Sequence, residues 1–281
     1  MMSSTIDKID GIHLSNLVRQ VGEKVRLVLK EECQGIGEIF TKDSSILGDL
    51  VTQTDFAIQT RLKSVLTYLL PKSEFLGEEG FQPHETMTSK PHWIVDPLDG
   101  TVNFASGLPC FGASVALIVE RRAVLGVVYD HGNDKLYCGC EGVLPTCNNN
   151  AFIWDSARAA RAPIAISSGY LALMRKKPQI YAPDWIGSRF RIFGSQAVQL
   201  CWVAGGLLRL NLNPEAKIWD DAAGALICEC AGAGYAAYKS HPLYPLTDGS
   251  RALAGEDIFS IAGDPSLVAQ CLIDFIPSKS V

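Results

Sequence analysis

Two aspartates stand three residues apart in the stretch DPLDGT at positions 96–101, directly after the apolar run WIV. This run predicts a buried strand that ends at Pro97, and Gly100 predicts a tight turn, so that Asp96 and Asp99 would project from the carboxyl end of the strand. Two carboxylates this close repel each other, and a divalent cation with oxygen ligands is the simplest group that would hold them together. The alternative is a surface turn in which both aspartates only cap the following segment.

Two further acidic pairs weaken this alternative. Glu78 and Glu79 follow another change from apolar residues to glycine, in FLGEEG. Asp220 and Asp221 stand where a helix would begin, in KIWDDAAGAL. Because an acid at a helix N-terminus is also an ordinary cap, the last pair is a weak signal by itself.

In order and separation, four segments resemble motifs of the inositol monophosphatase family: GDLVTQTD at 48–55, GEE at 77–79, DPLDGTVNF at 96–104 and WDDAAG at 219–224. The resemblance extends from about residue 13 to residue 275. It implies an α+β fold, a layered α-β-α-β-α sandwich of the sugar phosphatase type. It also implies a lithium-sensitive, magnesium-dependent phosphatase, within a superfamily that includes 3'(2'),5'-bisphosphate nucleotidases and some fructose-1,6-bisphosphatases.

Carried over position by position, the resemblance implies a site for two or three Mg²⁺ ions. The implied ligands are four carboxylates and one backbone carbonyl: Glu78, Asp96, Leu98, Asp99 and Asp220. Asp55 and Thr101 are implied to orient the attacking water, with Glu79 as a neighbour in that network. The backbone amides from Gly100 to Val102 are implied to bind the phosphate. Lys42 is implied to lie on a mobile loop that helps to close the metal site.

The chemistry explains why these residue types are needed. Magnesium prefers hard oxygen ligands, keeps several waters and takes substrate phosphate into its shell. The positive charge gathered by the carboxylates would attract the phosphate, lower the pKa of a bound water and stabilise the leaving alkoxide, so that no covalent nucleophile is required. Four histidines belong to none of these motifs and are expected at the surface or in packing contacts: His84, His92, His131 and His241.

The substrate is less well defined by the sequence. Inositol-specific relatives carry a glutamate seven residues before the aspartate of the WD motif, whereas the same count from Asp220 gives Asn213. Glu215 could substitute if the loop is shifted. Gln196 also replaces a small residue common in the family. With Asp220, Asn213 and Gln196 are expected on the leaving-group side of the pocket.

Three functions therefore stay open. The leading hypothesis is a phosphomonoesterase of inositol monophosphate-like esters. The runner-up is a nucleotidase acting on 3'-phosphoadenosine 5'-phosphate or a related bisphosphate, or a fructose-1,6-bisphosphatase. A pseudophosphatase scaffold would be expected to lack a metal ligand or a water-orienting residue, and the sequence has the full set.

Composition limits the partners. With 25 basic and 30 acidic residues among 281, the formal charge of -5 argues against nucleic acid and anionic membranes as partners. Charged residues interrupt the N-terminal segment, and no apolar run is long enough to span a membrane, so a cytoplasmic location is expected. Nine scattered cysteines indicate reduced thiols. Cys138 with Cys140 lacks the two-residue gap typical of structural zinc sites, as does Cys228 with Cys230. The family resemblance implies a homodimer.

The elements that must position the site are predicted from periodicity. Apolar spacing predicts a helix over about 13–33, and a second helix begins after Thr52 or Thr54. Two apolar runs around Glu120 to Arg122 predict a hairpin.

Glycine, asparagine and proline over about 130–165 predict loops, which would separate an N-terminal lobe, 1–150, from a C-terminal lobe, 151–281. In the second lobe, APIAIS and RFRIFG are predicted strands. SQAVQLCWVAGG and WDDAAGALICECAGAG are predicted helices that end at glycines.

Overall fold

Strands and helices alternate irregularly in the computed structural model, which describes residues 8–9, 12–35, 38–41, 50–82, 87–176, 189–237, 243–248 and 252–275. The helices of this part of the chain are α1 Leu14–Glu32, α2 Gln53–Leu69, α3 Thr101–Ala105, α4 Ser156–Ala159, α5 Ser168–Lys176, α6 Gln196–Ala204, α7 Ile218–Ala231 and α8 Pro265–Phe275. Its strands are β1 Lys8–Ile9, β2 Ile12–His13, β3 Ile39–Thr41, β4 Leu50–Thr52, β5 Glu74–Gly77, β6 His92–Asp99, β7 Gly112–Val119, β8 Arg122–Asp130, β9 Lys135–Cys140, β10 Val143–Cys147, β11 Asn150–Ala151, β12 Ile164–Ile166, β13 Phe190–Arg191, β14 Leu210–Ala216, β15 Gly234–Ala237 and β16 Ile258–Gly263.

The larger sheet has seven strands in the order β11-β10-β9-β8-β7-β6-β5. Its neighbours are antiparallel, except that β5 and β6 are parallel. The hairpin predicted around Glu120 to Arg122 is confirmed as the β7–β8 turn. Successive residues of β6 face opposite sides, because Trp93 and Val95 pack with α1 and α2 whereas Ile94 packs with α6 and α7.

The smaller sheet has five strands in the order β13-β12-β14-β16-β15. Helices α6 and α7 lie between the two sheets and contact both. The far face of the smaller sheet is covered by α5 and α8, through Tyr170 and Val268. The layers are therefore α1 and α2, the larger sheet, α6 and α7, the smaller sheet, and α5 and α8. This order confirms the predicted α-β-α-β-α sandwich.

The first two helices follow their sequence signals. Apolar residues of α1 such as Leu17 and Val25 are fully buried, and the helix predicted over about 13–33 is confirmed. The N-cap of α2 is Thr52, one of the two predicted caps. The Thr52 N–H donates to Asp55 Oδ2 over 2.8 Å, and the Asp55 N–H donates to Thr52 Oγ1 over 3.4 Å. This capping box places Asp55 in the first turn of α2.

The prediction that residues 130–165 form loops is wrong for much of this stretch. Strands β9, β10 and β11 extend the larger sheet there. Asn148 and Asn149, with φ of 48° and 66°, form the two-residue turn between β10 and β11. Residues that favour tight turns gave these short strands the composition of a loop. The division into lobes 1–150 and 151–281 stays a prediction.

The second half follows its predicted elements. The two predicted strands are β12 and β13, and the two predicted helices are α6 and α7. The C-caps of these helices are Gly205 and Gly232, the latter with φ of 89°. All nine cysteines are free thiols, and the Cys228 thiol lies 3.2 Å from the Leu200 carbonyl in the core. Within the described ranges, no helix has both the length and the apolar character that a membrane crossing requires.

Candidate active site

A β-bulge in β6 turns Asp96 and Asp99 toward the same side of the larger sheet. Asp96 pairs with Ser114 of β7, and Asp99 pairs with Gly112. Between these pairs, β6 has one residue more than β7. Residues three apart in a regular strand would face opposite sides, and the additional residue restores their alignment. Both carboxylates thus face the layer of α6 and α7.

The strand continues to Asp99, so the prediction that it ends at Pro97 is wrong. Proline has no N–H to donate, and a bulge is one of the few places inside a sheet that tolerates it. Within the bulge, the Leu98 N–H donates to Asp96 Oδ1 over 2.9 Å. Asp96 is only 2% exposed. The Leu98 side chain is buried on the other side, with the residues of α1 and α2.

Glu78 lies beside Asp96 because β5 and β6 are parallel neighbours. Gly77 pairs with Val95, and the Glu78 N–H donates to the Val95 carbonyl over 3.0 Å. The charge of Glu78 raises the pKa of Asp96, so the two carboxyl groups lie close to each other. Both acids therefore lie at the same edge of the sheet.

Asp99 is held by the first residues of α6. Ser195 Oγ donates to Asp99 Oδ2 over 2.7 Å, and the Ala197 N–H donates to the same oxygen over 2.6 Å. The first N–H groups of a helix have no partner within the helix and favour a carboxylate. Burial raises the pKa of Asp99 to about 6, although these hydrogen bonds oppose the rise. These hydrogen bonds fix the orientation of the Asp99 carboxyl group.

Asp220 reaches the same place from the first turn of α7. Its Oδ2 accepts from the Lys217 N–H over 2.8 Å. Ser114 Oγ of β7 donates to the Trp219 carbonyl over 2.8 Å, which fixes the start of α7 against the larger sheet. Burial raises the pKa of Asp220 well above its ordinary value, and the charges of Asp99 and Glu78 raise it further.

The acids repel one another through a medium with little water. Burial raises the pKa of Asp96 well above its ordinary value, and the charges of Glu78, Asp99 and Asp220 raise it further. Among the described residues, no Lys, Arg or His side chain forms an ion pair with Asp96, Asp99 or Asp220. A cation beside these carboxyl groups would therefore favour their ionised forms.

Asp55 and Thr101 form a second part of the site. Thr101 Oγ1 lies 3.0 Å from both Asp55 Oδ1 and the Leu98 carbonyl oxygen. Thr52 donates to Asp55 Oδ2 through its N–H and its hydroxyl. Burial raises the pKa of Asp55, and the hydrogen bonds from Thr52 and Thr101 oppose the rise. The aspartate is 1% exposed and fixed on both oxygens.

Gly100 forms the turn from β6 into α3. Its φ is 93°, and a Cβ there would lie 2.9 Å from the Cys110 carbonyl oxygen. Asn103 Nδ2 anchors this turn, because it donates to the carbonyls of Cys110 and Phe193 over 2.7 and 2.6 Å. These contacts hold the turn that carries the backbone amides from Gly100 to Val102, directly after Asp99.

Gln196 and Asn213 lie in a buried polar cluster. Gln196 Oε1 accepts from the side-chain amides of Asn213 and Asn211, over 3.0 and 2.9 Å. Gln196 Nε2 donates to Asp221 Oδ1 and Ser260 Oγ, over 2.7 and 3.0 Å. Both the oxygen and the nitrogen of the Gln196 amide are therefore hydrogen-bonded within the protein. Its contact with a substrate stays a prediction.

The side-chain oxygen of Asn213 is hydrogen-bonded as well. Its Oδ1 accepts from the Glu215 N–H over 3.0 Å. Glu215, the alternative to Asn213 in the sequence, is exposed, and its Oε1 accepts from the Gly169 N–H of α5 over 2.8 Å. Glu215 therefore lies beside the start of α5.

Five further residues were named from the sequence, namely Lys42 and four histidines. Three predicted residues lie outside the described residues: Lys42, His84 and His241. His92 is buried, with Nε2 2.9 Å from Glu74 Oε2, and His131 stacks on the ring of Phe111. Both His92 and His131 thus make packing contacts, as predicted.

Three residues in contact with the site had no predicted role: Gln59, Ser195 and Asp221. Gln59 is bonded to the backbone of Glu79. Asp221 accepts from Tyr235 OH over 2.9 Å, and burial raises its pKa to about 6 while the hydrogen bond from Gln196 opposes the rise. The position of Ser195 at a predicted helix start is a signal that could have identified it.

The donor chemistry of the site fits a hard divalent cation. Carboxylate and carbonyl oxygens are the ligands that magnesium prefers. As the side chains stand, no group of three His, Cys, Asp or Glu in the described ranges is arranged to hold a metal ion. The charges of Glu78, Asp99 and Asp220 nevertheless all raise the pKa of Asp96, so the four carboxyl groups are neighbours.

Comparisons with known proteins point to one family. The sequence profile described as "Inositol monophosphatase family" matches residues 12–260. Inositol monophosphatase 1 of Sus scrofa is 31% identical over 231 residues, which cover 77% of this chain and 79% of the relative. The fructose-1,6-bisphosphatase/inositol-1-monophosphatase of Aquifex aeolicus (strain VF5) is 33% identical over 194 residues, or 66% of this chain and 72% of the relative.

Among solved structures, the crystal structure of an IMPase/NADP phosphatase complexed with Mg²⁺ and phosphate is similar in fold. Its TM-score is 0.72, and the match covers 95% of this chain and 96% of that chain. The sequence identity is 21%, so the similarity concerns the architecture.

Proposed function

The chain belongs to the inositol monophosphatase family and is a phosphatase of phosphate monoesters, and we propose that it hydrolyses a small, inositol monophosphate-like ester with the help of magnesium. One observation carries the proposal, which is that a group of buried acids lies next to the hydrogen-bonded pair Asp55 and Thr101 at the end of β6. A pseudophosphatase scaffold would be expected to lack part of this set.

The metal would be held by one edge of the larger sheet and the start of α7. Two or three Mg²⁺ ions would be bound by Glu78, Asp96, the Leu98 carbonyl, Asp99 and Asp220. When bound, magnesium supplies positive charge that attracts phosphate, lowers the pKa of water and stabilises a leaving alkoxide. The burial of like charges and the Mg²⁺ and phosphate bound in the structural relative both support this assignment.

Asp55 and Thr101 would orient the attacking water. The Thr101 hydroxyl proton is directed to Asp55 Oδ1 or the Leu98 carbonyl, so an oxygen lone pair of Thr101 is available to accept from water. Thr52 keeps Asp55 from rotating away. We place Glu79 next to this pair as a neighbour in the same water-orienting network.

The backbone amides from Gly100 to Val102 would bind the phosphate oxygens. Their position directly after Asp99 would bring the phosphate next to the metal ligands. The Gly100 turn is fixed by the close approach of the Cys110 carbonyl, so the amides need little reorganisation when the phosphate arrives.

The leaving group would be recognised beyond Asp220. Asn213 stands where inositol-specific members carry a glutamate, and an amide makes weaker hydrogen bonds to sugar hydroxyls than a carboxylate. A 3'(2'),5'-bisphosphate nucleotide or fructose 1,6-bisphosphate is therefore the alternative substrate. The name of the Aquifex aeolicus relative, which joins a sugar bisphosphatase with an inositol phosphatase, supports a broad pocket.

Three further properties are proposed on the family resemblance. They are lithium sensitivity, a homodimer and a cytoplasmic location.

A substrate panel tests the proposed function. Phosphate release would be measured from inositol 1-phosphate, 3'-phosphoadenosine 5'-phosphate and fructose 1,6-bisphosphate, each with Mg²⁺ and with a chelator. We expect release from at least one ester in the presence of Mg²⁺ only. Asp155→Asn, a change in the N-cap of α4, serves as a control that should leave the rate unchanged. Equal rates with Mg²⁺ and with the chelator would contradict the proposed mechanism.

A further inference from the structure

Gln59 is bonded to both polar backbone groups of Glu79. Its Nε2 donates to the Glu79 carbonyl over 2.7 Å, and its Oε1 accepts from the Glu79 N–H over 2.9 Å. The side-chain amide thus pairs with Glu79 in the way that a neighbouring strand would. Two bonds to one peptide residue fix its orientation as well as its position.

Helix α2 carries both Gln59 and Asp55. Because the two residues are four positions apart, their side chains lie on the same helix face. Asp55 contacts Thr101, whereas Gln59 contacts the residue that follows Glu78. One rigid helix face therefore sets the distance between the water-orienting pair and the turn that carries Glu78.

The absence of a side chain at Gly77 leaves room for the Gln59 amide. A Cβ on Gly77 would overlap Oε1 and Cδ of Gln59, and the ring edge of Phe75 would be the next atom met. Gly77 pairs regularly with Val95 and is not among the residues with positive φ. The close approach of Gln59, and not a turn, is therefore the reason for glycine at this position.

We propose that Gln59 is a positioning residue that fixes the turn of Glu78 and Glu79 for magnesium binding, with Gly77 giving it room. The inference rests on the proposed function, since it takes Glu78 as a metal ligand. Gln59 acts through the backbone of Glu79 and touches neither metal nor substrate. The Glu78 N–H donates to the Val95 carbonyl and not to Gln59, so the fold should persist when Gln59 is replaced.

Magnesium binding to the full-length protein tests the role directly, by isothermal titration calorimetry. Gln59→Leu keeps a similar volume but removes both hydrogen bonds. We expect its Mg²⁺ dissociation constant to rise about 10-fold, as is common when a residue that supports a metal ligand is lost. Thr60→Ala, an exposed change on the same helix, is the matched control and should bind like wild type. Gln59→Glu keeps the acceptor but not the donor, and we expect it to weaken binding as well.

A double-mutant cycle tests the contact with Gly77. Gly77→Ala should weaken Mg²⁺ binding in the wild-type background, because the methyl group displaces the Gln59 amide. In the Gln59→Ala background the same change should have a smaller effect, since only the ring edge of Phe75 remains close to the methyl group. Additive effects would overturn the proposed contact.

Glu78→Gln separates this inference from the proposed function. If Glu78→Gln loses Mg²⁺ binding while Gln59→Leu binds like wild type, the positioning role is wrong and the proposed function stands. If the wild-type protein binds no Mg²⁺, both are overturned. If Gln59→Leu lowers only the thermal midpoint, and its folded form keeps the wild-type dissociation constant, Gln59 is structural and the inference is also overturned.

Discussion

Asn213 Nδ2 donates to Gln196 Oε1 over 3.0 Å, and this bond joins the two positions at which the chain departs from the inositol-specific pattern. Both side chains are buried, at 7% and 4% exposed. A carboxylate at position 213 would meet the Gln196 oxygen, acceptor against acceptor. The two departures are therefore physically coupled and should be tested together.

Asn213→Glu alone should destabilise the protein by about 1–3 kcal/mol, because it leaves buried acceptors without a donor. Combined with Gln196→Ala, which removes the opposing oxygen, it should raise kcat/KM for inositol 1-phosphate several-fold relative to 3'-phosphoadenosine 5'-phosphate. Competition between the two esters measures this ratio, and Gln196→Ala alone is the control. An unchanged ratio in the double variant would show that residue 213 does not face the leaving group.

Asp96→Asn should lower magnesium-dependent turnover on the order of 10²-fold or more, because one neutral oxygen replaces a charged ligand. The metal-free variant should unfold at a higher temperature than wild type, since an amide avoids the cost of burying an ionisable carboxyl group beside Glu78, Asp99 and Asp220. Phosphate release and thermal unfolding with a chelator measure the two effects. Asp248→Asn, at an exposed aspartate paired with Arg121, is the control for loss of a negative charge. Turnover within about threefold of wild type would contradict a ligand role for Asp96.

Thr101→Val should lower kcat on the order of 10²-fold, a size typical for a residue that positions a proton transfer, with a small change in KM. Valine keeps the shape of threonine but cannot accept from water or donate to Asp55. Thr101→Ser, which keeps the hydroxyl, should retain most of the rate. Steady-state kinetics on one ester distinguishes the two variants. Equal losses of kcat in both would argue against a role of the Thr101 hydroxyl in the reaction.

Lithium should inhibit turnover at magnesium concentrations that support it. A small monovalent ion can occupy an oxygen site of a dication while it neutralises less charge. A lithium series at fixed Mg²⁺, with sodium as the control cation, measures the effect. A rate that does not change at high lithium would count against a site of the family's kind.

Asp134 provides a prediction of pH dependence away from the site. Hydrogen bonds from Arg26, at 2.6 Å, and from Lys30 hold the pKa of Asp134 well below its usual range. A carboxyl group whose pKa is lower in the folded state stabilises the fold above its unfolded pKa of about 3.9, and this contribution is lost as the pH falls further. The Asp134 side chain is 52% exposed, so the contribution should be below about 1 kcal/mol.

Urea unfolding of wild type and Asp134→Asn checks this expectation. The wild-type protein should be more stable at pH 6, and the difference between the two unfolding midpoints should stay constant down to about pH 4 and shrink as the pH falls below it. A difference that does not shrink below about pH 4 would show that the effect does not depend on the charge of Asp134.

The positions of the acids could be predicted from sequence because each one stands in a local pattern. Asp96 and Asp99 follow an apolar strand, and Asp220 stands at the start of a helix. What the sequence could not predict is how uncharged groups hold them. Gln59 and Ser195 make their bonds to residues that are 20 and 96 positions away, and no local pattern in the chain marks such contacts.

Secondary structure was predicted well where periodicity extended over several turns or a long strand. The prediction failed in the stretch 130–165, because two-residue turns and strands as short as β11 leave too few residues to show an alternation of apolar and polar side chains. It also failed at Pro97, where a residue that usually ends a strand lies inside a bulge.

The bulge in β6 makes the site depend on the relative lengths of two strands and not only on the identity of the acids. One residue inserted into β7 between Gly112 and Ser114 would leave every acid in the sequence. The two strands could then pair without a bulge, and Asp96 and Asp99, three residues apart, would lie on opposite faces of the sheet. Such an insertion should therefore abolish activity although it changes none of the site residues.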